Sequence, residues 1–216
     1  MTKIYLSPSD QFENKYAYGN TTEAVQCRKI ADACEVALKR CGFTVKNGQS
    51  GSYVDRTKES NVWDADLHLV IHSNAFNGVV AGTRLFYYSE GGESHKACKA
   101  IYGELAPISP GTSDNMTMNQ DLYEMHATRC ASVYLEVAFH DNSTEAKWII
   151  EHTNEIAEAI TKGVCKFYGV QYKGASAINS GSFYQVVTGS FKNKENAEKR
   201  VKELKQKGFD SFIQIK

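Results

Sequence analysis

No stretch of the chain approaches eighteen consecutive apolar residues, so no segment reads as a membrane-spanning helix and no membrane insertion is expected. Net charge is also missing. The 216 residues hold 25 Lys and Arg against 25 Asp and Glu, which removes the case for a nucleic-acid partner on charge. The opening residues, MTKIYLSPSDQ, contain no apolar signal-peptide core. The expectation is therefore a protein made in the cytoplasm without a cleaved signal. The six cysteines form no CxxC or CxxxxC pair. Cys27, Cys34 and Cys41 are spaced by seven, about 10.5 Å along one helix, which is too far for a disulfide. They read as small core residues. GxGxxG, GxxxxGK[ST], HExxH and GxSxG are all absent, which leaves nucleotide binding, HExxH zinc proteolysis and serine-hydrolase chemistry without their usual signatures.

What is present is a globular composition, 42% hydrophobic and 23% charged, able to build a core. Strands are expected at 3–6, 43–46, 67–72, 81–88 and 132–139, and helices at 21–40, 53–63, 93–105 and 143–167. The helix over 21–40 is marked by apolar or small residues at Ala24, Cys27, Ile30, Ala31, Cys34, Ala37, Leu38 and Cys41, a 3.6-residue period. LHLVIH and SVYLEVAF are continuous apolar runs, as strands covered on both faces require. PISPGTSDN reads as a loop, within a central loop over 106–121. Alternation of strand and helix implies an α/β layer fold, whose functional groups collect beyond the carboxyl ends of the strands.

Four features point to one rim of such a sheet. His72 ends an apolar strand and places a titratable imidazole at its carboxyl end. Glu136 sits among apolar neighbours, where a carboxylate is costly unless paired or coordinated. Burial raises its pKa, as suits a general base or acid. Glu23 opens the first helix, although Asn20-Thr21-Thr22-Glu23 also fits a capping box. Asp10 and Glu13 follow the first strand. Three protein ligands with an open position are the pattern of catalytic zinc, and a nearby carboxylate completes a metal-water hydrolase.

At these residues the chain resembles the zinc-dependent N-acetylmuramoyl-L-alanine amidases of the amidase-3 type, found in autolysins, sporulation hydrolases and phage endolysins. The resemblance covers residues 1–170. It rests on KIYLSPSDQ with GNTTE, on ADLHLVIHSNA and on VYLEVAFHDN, with Arg56 and Asn61 upstream of the second block. It implies a twisted, mainly parallel six-stranded sheet flanked by helices. It also implies Zn2+ held in part by Glu23 and His72, with Glu136 as the catalytic carboxylate. The family's first histidine ligand is missing, since no histidine precedes His68. Glu13 is the expected replacement and Asp10 the second choice. Asn74, His126 and Arg129 are candidates for holding substrate. The implied reaction is cleavage of the amide between N-acetylmuramic acid and L-alanine in peptidoglycan. The alternatives are a catalytically decayed cell-wall-binding protein and a zinc peptidase acting within the stem peptide.

The catalytic domain is expected over 1–172. A flexible linker, KGASAINSG, covers 173–181. Residues 182–216 resemble one βαβ half of a SPOR repeat, a peptidoglycan-binding module. Thirty-five residues are few for an independent core, so a homodimer pairing two such tails is expected.

Overall fold

A computed structural model of the chain describes residues 1–175, 189–209, 211 and 213. It divides into two compact units, Met1–Ala175 and Ser176–Lys216. The first unit is an α/β layer fold around one six-stranded sheet. In chain order its elements are β1 (Lys3–Pro8), α1 (Glu23–Arg40), β2 (Thr44–Asn47), α2 (Tyr53–Trp63), β3 (Leu67–Asn74) and β4 (Arg84–Tyr87). They continue with α3 (Glu93–Leu105), β5 (Asn115–Met118), α4 (Tyr123–His126), β6 (Ala131–Phe139), α5 (Ser143–Glu151) and α6 (Thr153–Tyr168). The sheet order is β2-β1-β3-β6-β4-β5. All neighbouring pairs are parallel except β4 with β6.

Strand alternation gives the sheet two different faces. Ile4 and Leu6 of β1, Leu67, Leu69 and Ile71 of β3, and Val133, Leu135 and Val137 of β6 are buried in one apolar core. The same core contains Cys27, Ile30, Ala31 and Leu38 of α1, Ile101 and Leu105 of α3, and Ile156, Ile160 and Val164 of α6. Gly163 permits the close passage of α6 over α3, because a Cβ there would lie 2.4 Å from Ile101 Cα. The residues between these positions, Tyr5, Ser7, His68, His72, Ser132, Tyr134 and Glu136, give the opposite face a polar character. That face carries ring stacks between Tyr5 and His68 (5.2 Å) and between His72 and Tyr134 (4.7 Å).

The structure extends or divides several expected elements. β1 runs on through Ser7 and Pro8. Pro8 is tolerated because β2 pairs only with Lys3–Leu6, and the next ladder bond to β3 is made by Ser9 N–H to Ile71 O. β3 likewise continues to Asn74. The single closing helix is two, α5 and α6, divided at His152. The supposed central loop holds β5, which supplies the sixth strand.

In the second unit, α7 (Lys194–Gln206) forms where the tail's helix was expected, capped by the Asn193 side chain accepting from Glu195 N–H. None of its residues is buried. The flanking strands expected over 183–191 and 209–216 fall largely outside the described residues, as does most of the 173–181 linker.

Candidate active site

The carboxyl ends of β1 and β3 and the middle of β6 carry the site. Parallel register sets His72 beside Glu136. The loop after β1 then turns back along the sheet edge and leads into α1. Its course is fixed by backbone bonds: Tyr16 N–H to Thr21 O, Ala17 N–H to His140 O, Glu23 N–H to Asn14 O and Ala24 N–H to Gln11 O. The last two satisfy amides that a helix start otherwise leaves free. Thr22 is the N-cap and makes no side-chain cap. The capping box anticipated for Glu23 is therefore not formed, and its carboxylate is released toward the strand ends.

A buried clamp holds this loop. Tyr16 donates its hydroxyl to Ser73 Oγ at 2.9 Å, and its ring stacks on His140 at 5.2 Å. His140 Nδ1 meets Ser73 Oγ at 3.0 Å and Ser73 O at 2.8 Å.

Glu23 is only 1% exposed and His72 6%. Glu23 Oε1 lies 2.7 Å from His72 Nδ1, yet this oxygen has no hydrogen-bond partner among the described residues. The pair is an ion pair when the imidazole is protonated. Asn14 donates Nδ2–H to Glu23 Oε2 at 2.8 Å and also to Gln11 Oε1 at 2.5 Å. Gln11 Nε2 ends 3.3 Å from His72 Nδ1. Burial works to raise the Glu23 carboxyl, but His72, Asn14 and Ser9 outweigh it and hold the pKa below its ordinary value.

Glu136 has the opposite balance. Burial, and after it the charge of Glu23, pushes its pKa well up. Its Oε2 is sealed from solvent and has no hydrogen-bond partner among the described residues. A carboxyl whose pKa is pushed up thus stands beside one whose pKa is held down.

The structure brings Glu23, His72 and Glu136 to one rim, with Gln11 beside the first two. It does not bring Glu13 or Asp10 there. Glu13 is exposed, and none of the described hydrogen bonds or ion pairs joins it to the group. Asp10 turns to Arg56 Nη1 at 3.4 Å. Gln11, one residue beyond Asp10, takes the place beside His72 that the sequence assigns to an ionisable replacement for the histidine. Among the described residues, no three His, Cys, Asp or Glu side chains converge as a metal site does. The donor set next to His72 is one carboxylate, one imidazole and one amide.

Arg56 and Asn61 are anchors. Arg56 is 1% exposed, donates to Ser7 Oγ at 2.9 Å and Gly51 O at 2.8 Å, and fixes the end of β1. Ser7 in turn bonds Glu124, which reaches His68 Nε2 at 3.2 Å. Asn61 holds the α4–β6 connection through Ala127 O (2.9 Å) and Arg129 N–H (2.8 Å). His126 and Arg129 are exposed. Asn74 lines a groove beside the site.

With this geometry in place, similarity to known proteins is informative. A family model described as N-acetylmuramoyl-L-alanine amidase matches residues 10–166, and one described as SPOR domain matches residues 166–215. The chain is 27% identical over 167 residues to the N-acetylmuramoyl-L-alanine amidase CwlM of Bacillus licheniformis, covering 76% of this chain and 63% of that protein. It is 28% identical over 118 residues to the uncharacterized protein YqiI of Bacillus subtilis, covering 53% of this chain and 57% of that one. The chain thus spans about three fifths of the length of these relatives. Its fold is similar to the catalytic domain of CwlV, an N-acetylmuramoyl-L-alanine amidase from Bacillus (Paenibacillus) polymyxa var. colistinus. The TM-score is 0.71 at 17% identity, over 79% of this chain and 100% of that domain.

Proposed function

The chain belongs to the N-acetylmuramoyl-L-alanine amidase family, and from that membership we propose that it hydrolyses the amide joining N-acetylmuramic acid to L-alanine in peptidoglycan. The observation that carries this reading is Glu136: a half-buried carboxyl of raised pKa, in register with His72 and with one oxygen sealed from solvent and unpartnered. Such a group is suited to taking up a proton and passing it on.

The residues fit a divalent cation. Glu23 Oε1 and His72 Nδ1 are donor atoms 2.7 Å apart, and the orphaned Glu23 oxygen is one that a cation would satisfy. Gln11 stands third beside them, and its carbonyl oxygen would have to leave Asn14 Nδ2–H and turn toward His72 to serve as a donor. Gln11 therefore replaces Glu13 and Asp10 in the proposed set, with Glu23 and His72 retained. Zinc bound there would supply a Lewis acid that polarises the scissile carbonyl and makes water more acidic. Glu136 takes the proton of the attacking water and delivers it to the alanine nitrogen as the C–N bond breaks. Tyr134 packs against the His72 ring and fixes its orientation. Asn14 holds Glu23 Oε2 so that Oε1 faces the histidine. An amide in place of an imidazole makes the donor set harder, so affinity for zinc is reduced and other divalent ions are tolerated.

The SPOR match supports retention of the chain on peptidoglycan by its C-terminal unit. The loss of a histidine ligand favours one rival, a wall-binding protein that has lost catalysis.

The test is digestion of purified peptidoglycan by the purified chain, scored as new alanine amino termini. Release that stops with a chelator and returns with zinc supports the amidase. A folded chain that releases none with zinc supplied overturns it in favour of the binding protein. New termini of other residues would mark a stem peptidase.

A further inference from the structure

The antiparallel pairing of β4 with β6 sets Arg84 directly opposite Glu136, and residues opposite one another share a face of the sheet. β5 adds Asn115 opposite Arg84 and Thr117 opposite Phe86. Arg84, Phe86, Asn115 and Thr117, with Asn74, Phe76 and Phe139, line a groove of about 330 Å³ beside Glu136. Arg84 is half-buried there. Among the described residues it forms no ion pair and its Nε has no partner. Its one side-chain hydrogen bond is a long contact, 3.5 Å from Nη2 to Ser113 Oγ, and its guanidinium lies 5.9 Å from the Phe139 ring.

Two neighbouring acids are committed elsewhere. Glu145 accepts from Gly82 N–H at 2.9 Å and Phe139 N–H at 2.7 Å. Asp114 accepts from Thr83 N–H at 2.7 Å. Glu136 makes no ion pair with Arg84. A guanidinium partly removed from water without a counter-charge is unfavourable, and its planar fork matches a carboxylate in two-point contact. Cross-strand Cβ atoms are about 5 Å apart, and one extended residue spans about 3.5 Å. A ligand held at Arg84 is therefore within one or two residues of the bond facing Glu136.

We propose that Arg84 binds a free carboxylate on the stem peptide, next to the scissile alanine, so that the chain prefers acidic stem peptides over those amidated at that residue. Asn74 and Asn115 complete the polar wall, while Phe76, Phe86 and Phe139 pack against the peptide's aliphatic carbons. This assignment rests on the amidase reading of the same site.

The experiment uses two muropeptides with the γ-carboxyl blocked as its methylamide, N-acetylmuramoyl-L-alanyl-D-glutamate and its D-isoglutamine counterpart, with the full chain, Arg84→Gln and Arg84→Lys. Binding of the two corresponding dipeptides is measured by calorimetry in parallel. A hydrogen-bonded charge contact supports a preference for the acid of about tenfold or more, in kcat/KM and in Kd. Arg84→Gln brings both ratios close to one, and Arg84→Lys retains part of the preference. Melting curves establish that each variant is folded. Ratios unchanged by Arg84→Gln, or absent from the full chain, overturn the assignment. If the full chain cleaves neither muropeptide, the amidase reading fails, and the dipeptide ratios still decide whether Arg84 selects a carboxylate.

Discussion

Leu135 and Glu136 are neighbours on one strand, and they face two different environments. Leu135 joins the core made with α1, α3 and α6. Glu136 faces His72, Tyr134 and the polar side of the sheet. The apolar face gains stability from ordinary burial, about 1.5–3 kcal/mol for each large aliphatic side chain. The polar face holds Arg56, Glu124, His68 and Glu23 away from water, with Glu136 half-buried beside them, and each must be bonded, paired or coordinated to be tolerated. Most are: Arg56 by Ser7 and Gly51, His68 by Ser60 and Glu124. Arg56 Nη2 is left without a partner, and so are the carboxylate oxygens Glu23 Oε1 and Glu136 Oε2, which lie where chemistry is proposed. One face supports the fold and the other keeps reactive groups in a fixed place.

The largest separation of the two faces should come from adjacent substitutions. Glu136→Gln is expected to lower amide hydrolysis by about 10²–10⁴-fold, the range for a general acid–base group, while the far-ultraviolet circular dichroism is unchanged. Retained turnover would remove its proposed role. Leu135→Ala is expected to cost about 2–5 kcal/mol by denaturant unfolding, with turnover per folded molecule kept. A fall in turnover matching that of Glu136→Gln would mean that the two faces are not separable.

A smaller effect sharpens the contrast through pH. Burial and the Glu23 charge raise the Glu136 pKa, so the folded chain binds that proton more tightly than the unfolded one. Stability then falls as pH rises above the ordinary carboxylate range of about 4.3. The metal-free Glu136→Gln variant should melt above the unmodified chain near neutral pH, and the gap should close as pH drops through 4. A constant gap would show that ionisation is not its source. The smallest effect is expected from Tyr16→Phe, which removes one hydroxyl bond to Ser73 and should cost about 1 kcal/mol in unfolding experiments.

The two faces were unequally legible in the sequence. Apolar runs at β3 and β6 and the helical period of α1 identify the core directly, because burial imposes a pattern on residue type. His72, Glu23 and Glu136 were legible as polar residues at positions where apolar or capping residues are the simpler solution. Gln11, the third ligand proposed, was not, because its place beside His72 depends on how a loop bends and a neutral amide gives no charge signal. β5 reads NMTM and is mostly exposed at the sheet edge, so alternation cannot mark it. The division of α5 from α6 at His152 lacks Gly and Pro and interrupts an amphipathic run. β1 outruns its expected end at residue 6 because Pro8, a usual strand breaker, lies past the end of β2 and leaves no ladder bond there unmade.

The most direct test of the account is the melting temperature of the full chain against zinc concentration, beside His72→Ala. A ligand that binds only the folded state stabilises it by about 2.7 kcal/mol at a hundred times its dissociation constant. The account predicts a zinc-dependent rise for the unmodified chain that His72→Ala abolishes. No rise at millimolar zinc, or the same rise in His72→Ala, would contradict a cation site at the end of β3.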